Sequence, residues 1–217
     1  MSSSYVKAIE EALGEVRKVA KRRRFNQTVE LIIKLRDVDV KKPENRINLT
    51  VPLPNPMSKR AKVCVIASGA TITAAREAGA DLVITKDDLG KFSDKKSVRK
   101  LAQQFDFFLA SPDLMVQIGR TMGPILGPRG KMPDVVPPNA DVKAFIDRYR
   151  RSVRVRVRDQ PQIMVKVGTE DMEPSKIAEN AVTVLEEVAR KYGWDKLKEV
   201  ELKLTMSPPI KINITAQ

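Results

Sequence analysis

The chain has 217 residues, of which 40 are lysine or arginine and 27 are aspartate or glutamate, giving a formal net charge of +13. It contains no histidine and a single cysteine, Cys64. These counts exclude Ser–His–Asp and Cys–His catalysis, histidine metal sites and an internal disulfide within one chain. The positive charge favours a polyanionic partner and disfavours self-association, so we expect a monomer when the protein is free. No catalytic residue, metal site or cofactor is predicted.

The first residues become charged too early for a signal peptide, and no apolar run approaches the roughly 20 residues of a membrane span. These features predict a cytoplasmic protein without a membrane partner. Cys64 lies within an apolar run and is predicted to be a core residue.

The N-terminal quarter predicts one helix and two strands. Apolar residues at helical spacing over residues 5–20 indicate an amphipathic helix. Alternation over Thr28–Leu35 predicts a strand with one buried face, and Arg46–Val51 predicts a second, short strand. Three prolines within residues 52–56 favour an extended segment, which suits a domain boundary.

The basic run Lys21–Arg24 follows the first helix. Cations at a helix end complement the helix dipole, which is a structural interpretation of the run. Four basic residues in succession exceed what capping requires, so phosphates of RNA are the better explanation.

Residues 61–158 show a different pattern, in which apolar runs without alternation are separated by helices. This pattern is typical of a parallel sheet covered on both faces. The predicted strands are Lys62–Ala67, Asp81–Thr85 and Phe107–Ala110. The predicted helices are Thr71–Ala78, Ser97–Gln104, Asp113–Gly119 and one that Asn139 caps and that ends at Arg150.

The segment Gly119–Pro133 contains four glycines, three prolines and three basic residues but no acidic residue. Proline removes backbone donors and glycine is entropically costly, so we expect a stiff irregular loop instead of a helix or central strand. Neither a Walker-type loop nor a GxGxxG motif after a strand is present. Arg129 and Lys131 are therefore predicted to face an anion or another domain.

The run Val153–Arg158 alternates strictly and predicts a strand with every valine on one face and every arginine on the other. Its arginines would lie about 6.6 Å apart at roughly 3.3 Å per residue. Two interpretations remain open: an edge strand whose charges deter aggregation, or a strand that faces RNA or joins two domains.

The C-terminal residues return to alternating strands around one helix. A strand over Ile163–Val167 ends at Gly168, and Pro174–Arg190 is predicted to be helical. Two further strand faces consist of Val200, Leu202, Leu204 and Met206, and of Ile210, Ile212 and Ile214.

Neither end of the chain has enough apolar surface for an independent core, so we expect the two ends to join. Residues 1–60 plus 159–217 are predicted to form a discontinuous α+β domain with an antiparallel sheet. Residues 61–158 are predicted to form an inserted, Rossmann-like parallel α/β domain.

Four motifs carry a resemblance that extends over nearly the whole chain. The most specific is LGPRGKMP at residues 126–133, and the others are RFNQTVE at 24–30, GAD at 79–81 and LTMSPP at 204–209. In these motifs the chain resembles the archaeal-type L-one family of large-subunit ribosomal stalk proteins. The resemblance implies a two-domain, non-enzymatic protein whose discontinuous domain binds a folded site in large-subunit ribosomal RNA.

The resemblance also implies which residues contact RNA. Arg24 stands at a basic position that contacts phosphate in the family, and Ser207 replaces the glycine of the family's T-M-G-P motif. Because serine adds a Cβ, this replacement bears on how closely RNA can approach. The implied RNA-binding residues are Arg24, Phe25, Thr28, Glu30, Gly168, Thr205, Met206, Ser207 and Pro208. A secondary basic surface comprises Arg22, Arg23, Arg129, Lys131, Arg154, Arg156 and Arg158.

Strand periodicity agrees with this assignment only in part. Thr28 and Glu30 share the polar face of the first predicted strand, where a hydroxyl and a carboxylate can meet 2′-hydroxyls or base edges. Phe25 has the wrong parity for that face, so either a bulge turns it there or it is a core residue, and periodicity alone favours the core. Met206 likewise falls on the apolar side of its strand, which predicts a core residue.

The resemblance implies that the partners are large-subunit ribosomal RNA, other components of the large ribosomal subunit, E-site tRNA and the protein's own mRNA. In the family the complex forms a mobile stalk near the tRNA exit site that helps to release deacylated tRNA, and members repress their own translation. Two alternatives remain open: a nucleotide-binding α/β enzyme, and a nonspecific basic nucleic-acid-binding protein.

Overall fold

The structure is a computed structural model that describes residues 2–92, 94–138 and 140–213. The chain forms two compact units, one made of Met1–Arg60 with Arg151–Gln217 and the other of Ala61–Arg150. The second boundary therefore lies at 150/151 instead of the predicted 158/159. Asn139 and Ile214, predicted as a helix cap and a strand residue, lie outside the described residues.

The predicted helices and strands occur in the predicted order, with short 3₁₀ turns between some of them, and α5 and β6 are present in addition without having been predicted. In chain order they are α1 (Ser2–Val19), β1 (Thr28–Leu35), β2 (Ile47–Pro52), β3 (Val63–Ala67), α2 (Ala70–Glu77), β4 (Leu82–Thr85), α3 (Lys95–Gln104), β5 (Phe107–Ala110), α4 (Met115–Thr121), α5 (Gly123–Leu126), β6 (Asp134–Val135), α6 (Val142–Arg150), β7 (Ser152–Val157), β8 (Gln162–Thr169), α7 (Pro174–Tyr192), β9 (Leu197–Leu204) and β10 (Ile210–Ile212).

The first unit contains an antiparallel sheet with strand order β10-β9-β1-β8. Helices α1 and α7 cover one of its faces, and alternate residues of β1, including Leu31 and Ile33, are fully buried against them. Ile9 and Leu13 of α1 are equally buried, as the helical spacing predicted. The other face of β1 carries Thr28, Glu30, Ile32 and Lys34, of which Ile32 is buried and the other three are half-buried. We call this side of the sheet, which the two helices do not cover, the open face.

Strand β7 pairs with β2 in a two-stranded antiparallel ribbon, with Val155 opposite Leu49. The β7 valines are buried in the same core as α1, α7 and the four-stranded sheet. Because this packing makes β7 part of the first unit, the prediction that the inserted domain ends at residue 158 was wrong. The ribbon leaves β7 with one hydrogen-bonded neighbour, as expected of an edge strand.

The second unit contains a parallel sheet with strand order β4-β3-β5-β6. Helices α2 and α6 pack on one face, and α3, α4 and α5 pack on the other. This two-sided cover explains the uninterrupted apolar runs and confirms the predicted combination of α+β and α/β folds. The Asp141 carboxylate accepts hydrogen bonds from the amides of Lys143 and Ala144, so it caps the start of α6.

Cys64 on β3 is fully buried, which confirms that it is a core residue. Burial raises the pKa of its thiol well above the ordinary value, because the apolar surroundings disfavour a thiolate. Within the described residues, no helix combines the length and the apolar character that crossing a membrane requires.

The segment Gly119–Pro133 is more regular than predicted. Helix α4 extends to Thr121, and α5 occupies Gly123–Leu126. Pro124 is tolerated because it lies in the first turn of α5, where the missing N–H has no intrahelical partner. Apart from Met122 between the two helices, the irregular part of the segment begins after Leu126, and Gly130 has a φ of 65°.

Candidate nucleic-acid interface

One end of the four-stranded sheet brings three threonines together. Thr28 begins β1, Thr169 ends β8, and Thr205 directly follows β9. Thr28 is in register with Thr169, and the Thr205 N–H donates to the Thr28 carbonyl at 3.1 Å. We call this end the three-threonine edge; it comprises these residues and the adjoining turns 24–27, 170–172 and 206–208.

The three threonine hydroxyls have different roles. The Thr205 Oγ1 accepts the N–H of Thr28 at 3.1 Å, so it holds the two strand ends together. The Thr169 hydroxyl lies 3.1 Å from the Ser58 Oγ. The Thr28 hydroxyl makes no hydrogen bond within the described part of the chain, which leaves it available to a ligand.

Gln27 is fully buried and joins the segments of the edge. Its side chain donates to the Lys21 carbonyl at 3.4 Å and accepts the Met206 N–H at 3.2 Å. Its own carbonyl accepts the Glu170 N–H at 2.8 Å. We did not predict this role, although the residue belongs to the RFNQTVE motif and is polar immediately before a strand.

Phe25 and Met206 are not core residues, contrary to the prediction from periodicity. Their side chains are 53% and 56% exposed. Both lie outside the strands, because β1 begins only at Thr28 and β9 already ends at Leu204. The two apolar side chains are therefore exposed on segments that Gln27 links.

Ser207 is buried in the turn after β9. Its hydroxyl accepts the Leu204 N–H at 2.9 Å and lies 3.0 Å from the Pro208 carbonyl, to which it donates. The added side chain thus closes the turn, while Met206 and Pro208 are the exposed residues of this turn.

Gly168 meets the helical side of the sheet. A Cβ at this position would come within 2.8 Å of the Ile177 Cγ1 on α7. The residue therefore permits close packing between β8 and α7, and this packing accounts for the glycine without RNA.

The basic run Lys21–Arg24 lies beyond the last turn of α1, and all four side chains are exposed. The basic residues within the last helical turn are instead Arg17 and Lys18. Arg17 donates to the carbonyls of Glu170 and Met172 at 3.0 Å. Arg22, Arg23 and Arg24 thus lie on the segment that leads from the helix to the three-threonine edge.

Asp171 lies at the same edge and accepts hydrogen bonds from Ser58 at 2.6 Å and from Asn26 at 2.8 Å. These hydrogen bonds, the one from the Ser58 hydroxyl most strongly, hold the pKa of the Asp171 carboxyl well below its usual value. Periodicity gave no indication of this cluster, because its members come from three separate segments.

The open face of the sheet carries paired charges. Lys203 Nζ lies 3.8 Å from the Glu30 carboxylate, and Lys34 Nζ lies 2.7 Å from Glu199. Lys211 forms a second ion pair with Glu199. Hydrogen bonds from Lys211 and Lys34 lower the pKa of Glu199 to about 2. Glu30 is accordingly a paired carboxylate on the strand that begins with Thr28.

The predicted secondary basic surface is divided between the two units. Arg129 and Lys131 belong to the second unit, where the Lys131 ammonium donates to the carbonyls of Ala102 at 2.8 Å and Phe105 at 2.7 Å. Lys131 thus stabilises the C-terminal end of α3. The arginines of the β7 region belong to the first unit; Arg154 and Arg156 are half-buried and Arg158 is exposed.

The three-threonine edge combines the chemical groups that structured RNA requires. A threonine hydroxyl and carboxylates can hydrogen-bond 2′-hydroxyls and base edges. Exposed aromatic and thioether side chains can contact base faces, and adjacent cations can neutralise phosphates.

Comparison with known proteins agrees with this chemistry. The profile of the ribosomal protein L1p/L10e family matches residues 16–208. A large ribosomal subunit protein uL1 of Thermofilum pendens is 52% identical over 214 residues, covering 98% of this chain and 94% of that protein. The same-named proteins of Pyrobaculum arsenaticum and Archaeoglobus fulgidus are 53% and 48% identical, covering 92% and 95% of this chain and 90% and 96% of their own lengths. The chain therefore belongs to the ribosomal protein L1p/L10e family, a family of ribosomal proteins and not of enzymes.

Proposed function

We propose that this protein is a component of the large ribosomal subunit and binds its ribosomal RNA directly through the three-threonine edge. The relatives are named as large-subunit ribosomal proteins, which supports a ribosome-bound role in the cytoplasm. One observation carries the proposal. Within the described residues the Thr28 hydroxyl makes no hydrogen bond, and it lies at an edge whose segments the buried Gln27 joins by hydrogen bonds.

Each group at the edge has a distinct task in this proposal. Lys21–Arg24 neutralise phosphates, and Thr28 hydrogen-bonds a 2′-hydroxyl or a base edge. Phe25 and Met206 contact unstacked bases. Because the edge is braced by internal hydrogen bonds, it loses little conformational entropy when RNA binds.

Hydroxyl-radical footprinting on large-subunit ribosomal RNA from the same organism tests the proposal. We expect protection of one compact folded site that bulk DNA does not displace. Equal competition by DNA and by ribosomal RNA would instead indicate a nonspecific basic binder.

Phe25 provides a sharper test because its side chain is exposed in the free protein. Phe25→Ala should weaken RNA binding by about 1–3 kcal/mol, the scale of one base–aromatic stack, and leave the unfolding free energy nearly unchanged. Val19→Ala is the matched control, since Val19 is also apolar and 49% exposed but lies on α1. If both variants bind RNA like the parent protein, Phe25 is not a contact residue.

We also propose that the three-threonine edge represses translation of the protein's own mRNA, as the family resemblance implies. If the three-threonine edge binds both ribosomal RNA and the protein's own mRNA, the two RNAs should compete for it. Added protein should inhibit in vitro translation of its own message, and added ribosomal RNA should relieve the inhibition. Inhibition that persists in the Phe25→Ala variant would separate repression from this edge.

A third proposal concerns the ribosome. The family resemblance supports a mobile stalk near the tRNA exit site, with E-site tRNA as a partner and release of deacylated tRNA as the consequence. Large subunits that lack the protein should release deacylated tRNA more slowly, and adding back the purified protein should restore the rate. An unchanged rate would exclude this role.

A further inference from the structure

A second surface of the first unit, apart from the three-threonine edge, has the composition of a nucleotide site. An open cleft of about 530 Å³ lies at the turn between β7 and β8. Its lining residues are Arg156, Arg158, Asp159, Gln160, Gln162 and Met164. Met164 lies within β8 and its side chain is 58% exposed.

The chemistry of the lining suits a nucleotide. Arginine can bind phosphate oxygens through two parallel N–H···O hydrogen bonds. The cleft has two arginines: Arg156 lies on β7, and Arg158 directly follows this strand. Glutamine amides can hydrogen-bond base edges, and the Met164 thioether can pack against a base. The lining thus carries two arginines and one carboxylate, Asp159, which lies 3.6 Å from Arg158.

Strand β8 connects this cleft to the three-threonine edge. Thr169 is in register with Thr28, Lys166 with Glu30 and Met164 with Ile32 on β1, so these β8 residues follow the open face. The distance along β8 from Thr169 to Gln162 is about 23 Å at roughly 3.3 Å per residue.

We propose that the cleft is a second contact for the same bound ribosomal RNA, holding one nucleotide about 23 Å from the three-threonine edge. Arg156 and Arg158 bind its phosphate, Gln162 hydrogen-bonds its base and Met164 packs against the base. This inference rests on the proposed function, because the RNA reaches the cleft along the open face from the three-threonine edge.

Site-directed crosslinking tests the placement, and the chain is well suited to it. The single native cysteine is buried, so a cysteine introduced at the surface can be labelled selectively with an azidophenacyl group. Met164→Cys probes the cleft, Met206→Cys probes the three-threonine edge, and Lys191→Cys on α7 probes the opposite side of the sheet. The probe RNA is the ribonuclease-resistant fragment of large-subunit ribosomal RNA that the full chain protects.

We expect crosslinks to this RNA from positions 164 and 206 but not from position 191. A crosslink from position 206 alone overturns the second contact and leaves the proposed function standing. The absence of crosslinks from both positions overturns the proposed function as well. In assembled large subunits, a crosslink from position 164 to a protein instead of RNA overturns the inference too.

Salt dependence gives an independent measurement. If Arg158 contacts a phosphate, Arg158→Gln should flatten the slope of log affinity against log salt by about 0.7–0.9. Arg190→Gln is the charge-matched control, because Arg190 is an exposed arginine on α7. Equal effects of the two substitutions would show that only net charge matters and would overturn the contact.

Discussion

At the scale of single residues, the important difference lies between two threonines that meet at the same strand ends. Thr205 uses its hydroxyl to accept the Thr28 N–H, whereas the Thr28 hydroxyl has no bond within the described residues. Similar side chains on neighbouring strands therefore have different roles: one maintains the edge and the other is free to contact RNA.

Replacing each threonine by valine separates these roles, because valine keeps the shape and removes only the hydroxyl. Thr28→Val should weaken RNA binding by about 1–3 kcal/mol, the cost of leaving its RNA partner unpaired, and change stability little. Thr205→Val should lower the free energy of unfolding by a similar amount, because the Thr28 N–H loses its acceptor.

Filter binding and urea unfolding of the same two variants provide the measurements. Equal stability losses in both variants would contradict the assignment of one free hydroxyl and one structural hydroxyl.

At the scale of structural elements, the segment Gly119–Pro133 of the second unit is hydrogen-bonded to the C-terminal end of α3 through Lys131. The Lys131 ammonium donates to two carbonyls there, and the Lys131 N–H donates to the Leu126 carbonyl at 2.9 Å. The motif that carries the family resemblance most strongly therefore contains a lysine with a structural role.

Lys131→Gln should lower the free energy of unfolding by about 1.5–3 kcal/mol, the scale of hydrogen bonds made by a charged group. Lys100→Gln removes the same charge from an exposed position on α3 and should have little effect. Denaturant unfolding of both variants tests the difference. Equal stability of the two would contradict the role of Lys131.

The charged open face predicts a pH effect on the stability of the sheet. The pKa of Glu199 is lowered from 4.5 to about 2 in the folded protein, first by Lys211 and then by Lys34. A lowered pKa means that the stabilisation is present above about pH 4.5 and is lost as the pH falls toward 2.

Glu199→Gln should therefore be destabilising at pH 6, and its difference from the parent protein should shrink as the pH falls toward 2. Urea unfolding across this range measures the difference. Glu11→Gln, at an exposed position of α1, is the control. A difference that stays constant from pH 6 to pH 2 would contradict the ion pairing.

At the scale of the whole molecule, the RNA-binding residues implied by the motifs Arg24–Glu30 and Leu204–Pro209 all belong to the discontinuous first unit. The chain enters and leaves the second unit at adjacent points, since the Ala61 N–H donates to the Arg150 carbonyl at 3.0 Å. A short linker can therefore replace the whole second unit.

A protein in which a short Gly-Ser linker joins residues 60 and 151 should retain specific RNA affinity. Joining at residue 159 should instead destabilise the protein, because it removes β7 from the core that β7 shares with α1 and α7. Filter binding measures the RNA affinity, and urea unfolding the stability, of these two shortened proteins. A loss of more than about 3 kcal/mol in RNA binding by the first protein, the scale of one or two good polar contacts, would show that the second unit is needed.

Local sequence patterns determined much of this protein by themselves. Helical spacing predicted α1 and α7, alternation predicted β1 and β9, and unbroken apolar runs predicted the parallel sheet, because burial of each element depends on its own periodicity. The motifs at residues 24–30 and 126–133 indicated the family, and the parity of Thr28 and Glu30 placed both on the open face.

The tertiary structure alone decided the features that depend on partners distant in the chain. The bond between Thr28 and Thr205 joins residues 177 positions apart, and the pairing of β7 with β2 moves a domain boundary. Phe25 and Met206 were misplaced because periodicity does not show where a strand ends. Gln27 and Lys131 differ from other polar residues only through the backbone groups they meet, and folding brings those groups together.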